Sequence, residues 1–309
     1  MLGLDGSVVE TMVQEGRKIV QDAIEEFKPL VVLAAFSGGN DSIVSTHFAV
    51  TEFNATVLHC NTGTGLKRTA EHVHSTAARF GWDFVETFAK PSGKPAMLDE
   101  SILPSGKWID GETAYEEFVL NHGFPGPIQH QRMFQRLKER PLAKHVREIR
   151  KPHSKDGPVM IVSGIRHDES AIRAGYKRAV QKEPKNPRVW VNPFYWRSAV
   201  DFEHYRQEFG LPRNPVKGRI GISGECNCGA FASSNPGELE AIRSVEPEMA
   251  AYLDDLSRRV RHNGFPWGWG ETMPAWWKDA RKGQLFLFDS HHQDEQFTPM
   301  CVGCPMGRR

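Results

Sequence analysis

A short segment rich in serine and glycine is the first place in the chain where chemistry is expected. Residues 37–42 read Ser-Gly-Gly-Asn-Asp-Ser, between the apolar run 30–36 and the apolar pair 43–44. A strand that passes through such a turn into a helix leaves backbone N–H groups and a positive helix end for an anion. Gly38 and Gly39 allow positive φ and close backbone approach, and Ser37 and Ser42 add hydroxyl donors. We therefore predict a phosphate loop here, with Asp41 and Ser42 as candidate catalytic residues.

Two familiar phosphate-binding patterns do not describe this loop. It lacks the lysine of G-x-x-x-x-G-K-[ST] and the spacing of G-x-G-x-x-G, so it is neither a Walker loop nor a dinucleotide fingerprint. The alternative is an ordinary strand-to-helix turn that is capped by Asp41 or Ser42.

The cysteines provide a second chemical signal. Four of the five cysteines form close pairs, Cys226 with Cys228 and Cys301 with Cys304. Within each pair the sulfurs are already within chelating distance, so the two pairs can converge on one site of four thiolates. Zinc and an iron–sulfur cluster both accept four cysteines, and ligand count does not choose between them. Disulfides are a weaker explanation in a cytosolic protein.

Cys60 lies apart from these pairs, at the end of a predicted strand. Such a cysteine is most often a small core residue. The alternative is an attacking thiol or persulfide carrier, which requires a lowered pKa. Asn61 and Thr62 follow in the loop and are better placed to contact a ligand.

These residues depend on a regular alternation of strands and helices. Apolar residues from Val9 to Phe27 recur at helical spacing before the first strand. Further strands are predicted over 56–60, 83–88 and 159–163, and a helix over 67–80. This alternation predicts an α/β fold with a doubly wound, mostly parallel sheet and ligands at the carboxyl ends of its strands.

Composition changes along the chain suggest two parts. We expect a nucleotide-binding domain over 1–222 and a smaller, mainly helical, cysteine-containing region over 223–309. Residues 90–111, rich in Pro, Gly and Lys, are predicted to form a loop over the site. Residues 236–263 read as one or two helices. The four tryptophans in 265–277 predict a local core, with a base-stacking platform as the alternative.

Overall charge and hydropathy limit the possible partners. The chain has 309 residues, with 39 basic and 38 acidic side chains and a net charge of +1. Near-neutrality argues against a protein that coats nucleic acid through bulk charge, so any such contact must be local. No apolar segment approaches the roughly 20 residues that cross a bilayer. We expect a soluble cytoplasmic enzyme without membrane contact, and the sequence leaves its oligomeric state open.

Four segments in order resemble one family. Residues 33–42 resemble the SGGxDS loop of the PP-loop ATP pyrophosphatases, in the branch of the phosphoadenosine phosphosulfate (PAPS) reductases and the DndC-like DNA phosphorothioation sulfurtransferases. The segments 123–138 (GFP, then Arg132 and Leu137-Lys138), 164–173 (GIR, then Ser170 and Arg173) and 192–215 (NPF to GLPRNP) resemble later motifs of that branch. Met133 departs from the pattern, because many relatives carry cysteine there.

This resemblance implies an adenine nucleotide alpha hydrolase-like fold and binding of ATP with Mg²⁺. It places Gly164, Arg166 and Arg173 at the nucleotide, beside the loop residues and Asn61. It also favours a [4Fe–4S] cluster over zinc for the four paired cysteines, since relatives are similar in holding such a cluster with cysteines near these regions.

The function implied is an ATP pyrophosphatase that adenylates an acceptor and supports sulfur transfer. DNA backbone phosphate is the acceptor that the resemblance suggests, with a cysteine desulfurase as sulfur donor; a tRNA base is an alternative acceptor. Reduction of (phospho)adenylyl sulfate to sulfite is the main alternative reaction. It is disfavoured by the intact SGGxDS loop and because no ECGLH-like segment occurs in the sequence. A nucleotide-binding regulatory subunit is a third possibility, weakened by the presence of Asp41 and Ser42.

Overall fold

The structure is a computed structural model that describes residues 5–92, 109–153, 156–169 and 179–280. The strands of these residues are β1 (Val31–Ala35), β2 (Thr56–Asn61), β3 (Phe84–Phe88), β4 (Val159–Val162), β5 (Val180–Lys182) and β6 (Arg188–Val191). The helices are α1 (Asp5–Phe27), α2 (Asn40–Phe53), α3 (Lys67–Phe80), α4 (Ala114–His122), α5 (His130–Phe134), α6 (Arg140–Arg150), α7 (Ala199–Glu208), α8 (Lys217–Ile220), α9 (Glu238–Val245), α10 (Pro247–His262) and α11 (Ala275–Ala280). A π-helical turn over Gln135–Glu139 joins α5 to α6.

The strands form one sheet in the order β3-β2-β1-β4-β6-β5. Every pair is parallel except β5 with β6 at one edge. From β1 the chain adds β2 and β3 on one side and then crosses to add β4 on the other. The strand order therefore reverses between β1 and β4, and a crevice opens outside their carboxyl ends, where open α/β sheets bind ligands.

Helices cover both faces of the sheet, as its apolar strands require. On one face α1, α2 and α7 enclose a core that includes Met12, Phe48 and Tyr205. On the other face α6 packs Leu142 and Val146 against residues of β1, β2 and β4. The predicted doubly wound α/β fold is confirmed.

The sequence predictions match most of the elements that frame the crevice. The helix predicted over 67–80 is α3, and it ends where Gly81 adopts a positive φ of 63°. The strands predicted over 56–60, 83–88 and 159–163 differ from β2, β3 and β4 by a residue at one end. The short strands β5 and β6 were not predicted.

The tryptophan-rich segment forms a local core, as predicted. Trp267 and Trp269 are buried, and their indole N–H groups donate to backbone carbonyls of Phe124 and Asn227 at 2.9 Å each. Trp277 packs on Trp267, whereas Trp276 is 60% exposed. This core also includes residues of α4, α9 and α10, so it joins the two parts of the chain across position 222. The boundary at 222 stays a prediction.

Most of the loop predicted over 90–111 lies outside the described residues. Among the helices that the structure describes, none combines the length and the apolar character needed to cross a membrane.

Candidate nucleotide and thiol site

The loop between β1 and α2 has the shape of an anion cradle. Gly38 has a φ of +78°, and a Cβ there would lie 2.8 Å from the Val73 side chain. Gly38 therefore uses the positive φ that glycine allows, whereas Gly39 has a φ of −77°. A Cβ at Gly39 would make only ordinary van der Waals contacts, at 3.4 Å from Oγ of Ser37 and 3.6 Å from Oγ of Ser42.

Within the described residues, no side chain caps the start of α2. Its N-cap residue is Gly39, which makes no side-chain cap hydrogen bond. The Ser42 hydroxyl donates to the Gly39 carbonyl at 3.0 Å, and the Ser37 hydroxyl donates to Oγ of Ser42 at 3.1 Å. The alternative of a turn capped by Asp41 or Ser42 is therefore wrong, and the first N–H groups of α2 are left for an anion.

The end of β4 closes the other side of the crevice. Gly164 packs so tightly that a Cβ would lie 2.7 Å from the Asp41 carbonyl oxygen. The Arg166 guanidinium donates to Oδ2 of Asp41 from Nε at 3.3 Å and from Nη2 at 3.2 Å, and to Asp168 at 2.6 Å. Arg166 is 8% exposed. The structure thus brings Asp41 and Arg166 together where the strand order reverses; Arg173 lies outside the described residues.

Asn214 ties the loop to a distant segment. Its side-chain amide donates to the Gly38 carbonyl at 2.8 Å and to the Ser223 carbonyl at 3.0 Å. Its side-chain oxygen accepts from the N–H of Val216 at 2.8 Å, and its own N–H donates to Oδ1 of Asn40 at 3.0 Å. Asn214 is buried, so these bonds fix the loop beside the residues that precede the first cysteine pair.

The segment that carries Cys226 lies on the loop between β2 and α3. The hydroxyl of Thr62 donates to the Glu225 carbonyl at 2.9 Å, and the N–H of Leu66 donates to the Gly224 carbonyl at 2.7 Å. The N–H of Asn227 donates to the Thr64 carbonyl at 3.1 Å. These contacts place the Cys226 and Cys228 pair at the same strand-end edge as the phosphate loop.

The environment of Cys226 favours a thiolate. The pKa of Cys226 is lowered to about 7, mainly by a hydrogen bond with Cys228 and also by the charge of Lys138, against the opposing effect of burial. The hydroxyl of Thr64 lies 3.7 Å from its sulfur. Nζ of Lys138 is paired with Oε2 of Glu225 at 2.8 Å, and both side chains are buried. Lys138 belongs to the π-helical turn, a feature that is frequent at functional sites.

A small cavity adjoins the thiol pair. Its volume is about 30 Å³, close to the share of one water molecule in the liquid. Met133, where the resemblance expects cysteine, is one of its walls. The lining residues are His130, Met133, Phe134, Leu137, Lys138, Ile222, Ser223, Gly224, Glu225, Cys226 and Cys228.

The second cysteine pair, Cys301 and Cys304, lies outside the described residues. In the part of the chain that the structure describes, no group of three or more His, Cys, Asp or Glu side chains could hold a metal. The neighbouring thiols of Cys226 and Cys228 fit two of the four ligand positions of a zinc or [4Fe–4S] site. The four-thiolate site stays a prediction.

Cys60 has the properties of a core residue. It is 4% exposed, and the hydroxyl of Thr87 donates to its sulfur at 3.3 Å. Burial raises its pKa to about 12, the opposite of what a nucleophile needs. Asn61 donates to Glu86 at 3.0 Å and accepts from the N–H of Gly63 at 2.8 Å, so its amide shapes the loop. The catalytic role of Cys60 and ligand binding by Asn61 remain untested predictions.

The sequence profile of the phosphoadenosine phosphosulfate reductase domain matches residues 31–219. This stretch contains the sheet, the phosphate loop, Arg166 and Asn214. The chain belongs to this family. A comparison with curated proteins gave no match.

Solved structures that resemble this PAPS reductase-family chain do so at low identity. A PAPS reductase from Candida auris in a phosphate complex has 15% identity and a TM-score of 0.46, and the match covers 72% of this chain and 93% of that one. An NH3-dependent NAD synthetase from Campylobacter jejuni has 12% identity and a TM-score of 0.41, over 86% and 97% of the two chains. A U34-tRNA thiolase from Methanococcus maripaludis, solved with its [4Fe–4S] cluster, has 12% identity and a TM-score of 0.40, over 91% and 89%.

Sequence reasoning missed two polar residues of the site in this family member. Asn214 lies in the GLPRNP segment, but no role was assigned to it. Glu225, next to Cys226, was not considered, although a carboxylate beside a paired cysteine is a local signal for a charged partner such as Lys138. Both residues act through contacts with segments far away in the sequence.

Proposed function

We propose that this chain is an ATP pyrophosphatase that adenylates an acceptor and supports sulfur transfer to it. The observation that carries the proposal is the uncapped start of α2 at Gly39, which lies at the strand-order reversal with a thiol pair at the same edge. Backbone N–H groups there are suited to the pyrophosphate of ATP. The nearby thiols are suited to sulfur chemistry.

In this proposal the loop holds the β- and γ-phosphates of ATP. An acceptor oxygen attacks the α-phosphorus, and pyrophosphate is the leaving group. The hydrogen-bond donors of the Ser37–Ser42 loop hold this pyrophosphate. Arg166 offers planar N–H donors for phosphate oxygens, and Asp41, its partner at 3.2 Å, is a carboxylate within the loop that suits a Mg²⁺ ion. A thiol reductant supplies the two electrons that release sulfide from the desulfurase's persulfide. The sulfide then attacks the activated acceptor, so that a bond to sulfur forms and the bond to AMP breaks.

Cys226 and Cys228, with Cys301 and Cys304, are the residues that would hold a [4Fe–4S] cluster, with zinc as the alternative metal. When bound, such a cluster would supply iron-bound sulfide or a site for sulfur beside the strand ends. Lys138 contributes a buried positive charge beside the Cys226 thiol, which favours its anionic form. Tyr115 holds the other cysteine in place, since its hydroxyl donates to the Cys228 carbonyl at 2.9 Å.

DNA backbone phosphate is the acceptor that we propose, with a cysteine desulfurase as the sulfur donor. The DNA acceptor follows from the resemblance to phosphorothioation sulfurtransferases, and a tRNA base is the other acceptor to test.

Reduction of (phospho)adenylyl sulfate to sulfite is the second candidate. The profile match to the phosphoadenosine phosphosulfate reductase domain favours it. The two functions differ in their nucleotide products, because the reductase has no pyrophosphate to release.

The test is to incubate the anaerobically purified protein with ATP, Mg²⁺, a cysteine desulfurase, ³⁵S-cysteine and a thiol reductant, with duplex DNA or tRNA as acceptor. We expect label in DNA together with AMP and pyrophosphate. A parallel reaction with PAPS and a thiol reductant measures sulfite. Sulfite without pyrophosphate chemistry would establish the second candidate, and ATP binding with no product would indicate a regulatory subunit.

Cysteine variants separate adenylation from sulfur transfer. Cys226→Ser with Cys228→Ser, and Cys301→Ser with Cys304→Ser, should abolish labelling while pyrophosphate release persists. Cys60→Ser is the matched control and should retain both activities, because its thiol is buried. Sulfur transfer by both double variants would contradict a role for the paired cysteines and would favour Cys60 as the sulfur carrier.

A further inference from the structure

Positive charge is concentrated in one helical segment of this nearly neutral chain. Residues 130–151 contain eight Lys or Arg against two Glu, whereas the whole chain has 39 basic and 38 acidic side chains. Three of these basic residues contact other groups of the protein. Arg136 pairs with the buried Glu117, Lys138 pairs with Glu225, and Arg150 donates to the Gly157 carbonyl. The others extend into solvent.

Four of the exposed cations form a stripe, which we call the α6 stripe: Arg140, Lys144, Arg147 and Lys151. Their spacing of four, three and four residues places them on one face of a helix. Lys151 directly follows α6 and keeps helical backbone angles of −58° and −45°. Within the described residues, only Lys144 has a carboxylate partner, Glu148 at 3.8 Å, and that pair is exposed and weak.

The opposite face of α6 is already used. Leu142 and Val146 are buried against the sheet, and Ile149 packs beside them. On average these three positions lie about 200° around the helix from the stripe. The exposed face therefore has charge without apolar side chains. A helix that binds a membrane surface needs an apolar face to insert, so a lipid surface is disfavoured.

We propose that the α6 stripe binds the phosphodiester backbone of a nucleic acid. From residue 140 to residue 151 the helix spans about 16 Å, which matches about five phosphates along one strand of a duplex. The stripe begins two residues after Lys138, whose partner Glu225 precedes Cys226. Lys138 faces the interior, so the stripe lies on the solvent side of the segment whose inner side adjoins the thiol pair. Identification of the bound nucleic acid as the sulfur acceptor rests on the proposed function; the binding itself does not.

The experiment is fluorescence anisotropy of labelled duplex DNA, single-stranded DNA and an RNA stem–loop, titrated at several salt concentrations. The stripe variant combines Arg140→Gln, Lys144→Gln, Arg147→Gln and Lys151→Gln. A matched control removes the same charge from other exposed positions, with Lys18→Gln, Lys67→Gln, Arg68→Gln and Arg258→Gln. Circular dichroism and thermal unfolding establish that both variants are folded.

We expect wild type and control to bind with equal salt dependence. In the stripe variant, the slope of log K against log salt concentration should become less negative by about 3.6 on duplex DNA or about 2.8 on a single strand. A second variant that keeps the charge, Arg140→Lys with Arg147→Lys, should retain the wild-type slope. The three probes distinguish DNA from RNA as the source of the backbone.

Vesicles that contain phosphatidylserine are titrated in parallel. Four results would overturn the proposal: no binding of wild type to any nucleic acid, equal loss in the control variant, a stripe variant with the wild-type slope, or binding to the vesicles alone. Binding is measured without ATP, so it is independent of the pyrophosphate chemistry. A stripe variant with the wild-type slope would rule out the α6 stripe as the binding site and would not affect the proposed function. Stripe-dependent binding without pyrophosphate release would support the α6 stripe as the binding site and contradict the proposed function.

Discussion

Replacement of Asn214 by alanine should weaken both the fold and the nucleotide site. The substitution removes the donor to the carbonyls of Gly38 and Ser223, at 2.8 and 3.0 Å, and the acceptor for the N–H of Val216. Each lost hydrogen bond costs about 1 kcal/mol, and loss of a helix-start acceptor costs about as much. We expect unfolding to become easier by about 3 kcal/mol. Only the bond to Gly38 holds the nucleotide loop itself, and its loss of about 1 kcal/mol corresponds to a fall in ATP affinity of about fivefold.

Urea unfolding and calorimetric titration with ATP measure the two effects. Asn214→Asp should be at least as harmful, because it aims a carboxylate oxygen at the same two carbonyls. Asn235→Ala is the matched control: its amide donates to Glu238 at 3.1 Å, away from the loop. If Asn214→Ala lowered stability but bound ATP as tightly as Asn235→Ala does, the inference that Asn214 fixes the loop would be refuted.

Three further predictions concern the interior. Cys60, whose pKa is raised to about 12, should stay protonated at pH 8 and resist iodoacetamide in the native protein, with labelling only after unfolding in urea; rapid native labelling seen by mass spectrometry would contradict its burial. Trp267→Ala should lower the free energy of unfolding by about 3–5 kcal/mol, whereas the exposed Trp276→Ala should cost less than about 1 kcal/mol in the same urea experiment. Lys138→Met should cost about 3–5 kcal/mol because it leaves Glu225 buried and unpaired, and addition of Glu225→Leu should recover most of the loss in unfolding measurements; no recovery would show that the pair is not the cause.

Local patterns were sufficient to predict the frame of the site. The apolar run before Ser37, the Ser-Gly-Gly turn and the amphipathic pattern of α3 are each decided by residues within a turn or two of one another. The strands β2, β3 and β4 were found for the same reason. These elements place the loop at the carboxyl end of β1, where the structure has it.

Long-range contacts could not be predicted in this way. The bond from Asn214 to Gly38 joins residues 176 positions apart, and the contact between Thr62 and Glu225 spans 163 positions. Neither has a periodic signal in the sequence. Gly39 shows a related limit: its residue type allows positive φ, but its φ in the structure is −77°, which any residue can adopt.

The position at which ATP is cleaved tests the central claim most directly. Wild type and Asp41→Ala are incubated with ATP labelled in the α- or the γ-phosphate, in the presence of the acceptor, the cysteine desulfurase, cysteine and a thiol reductant, with the exposed Asp22→Ala as control. The account predicts labelled AMP and labelled pyrophosphate from wild type and Asp22→Ala, and neither from Asp41→Ala, which should remain folded. Release of ADP and orthophosphate by the wild-type protein would contradict it.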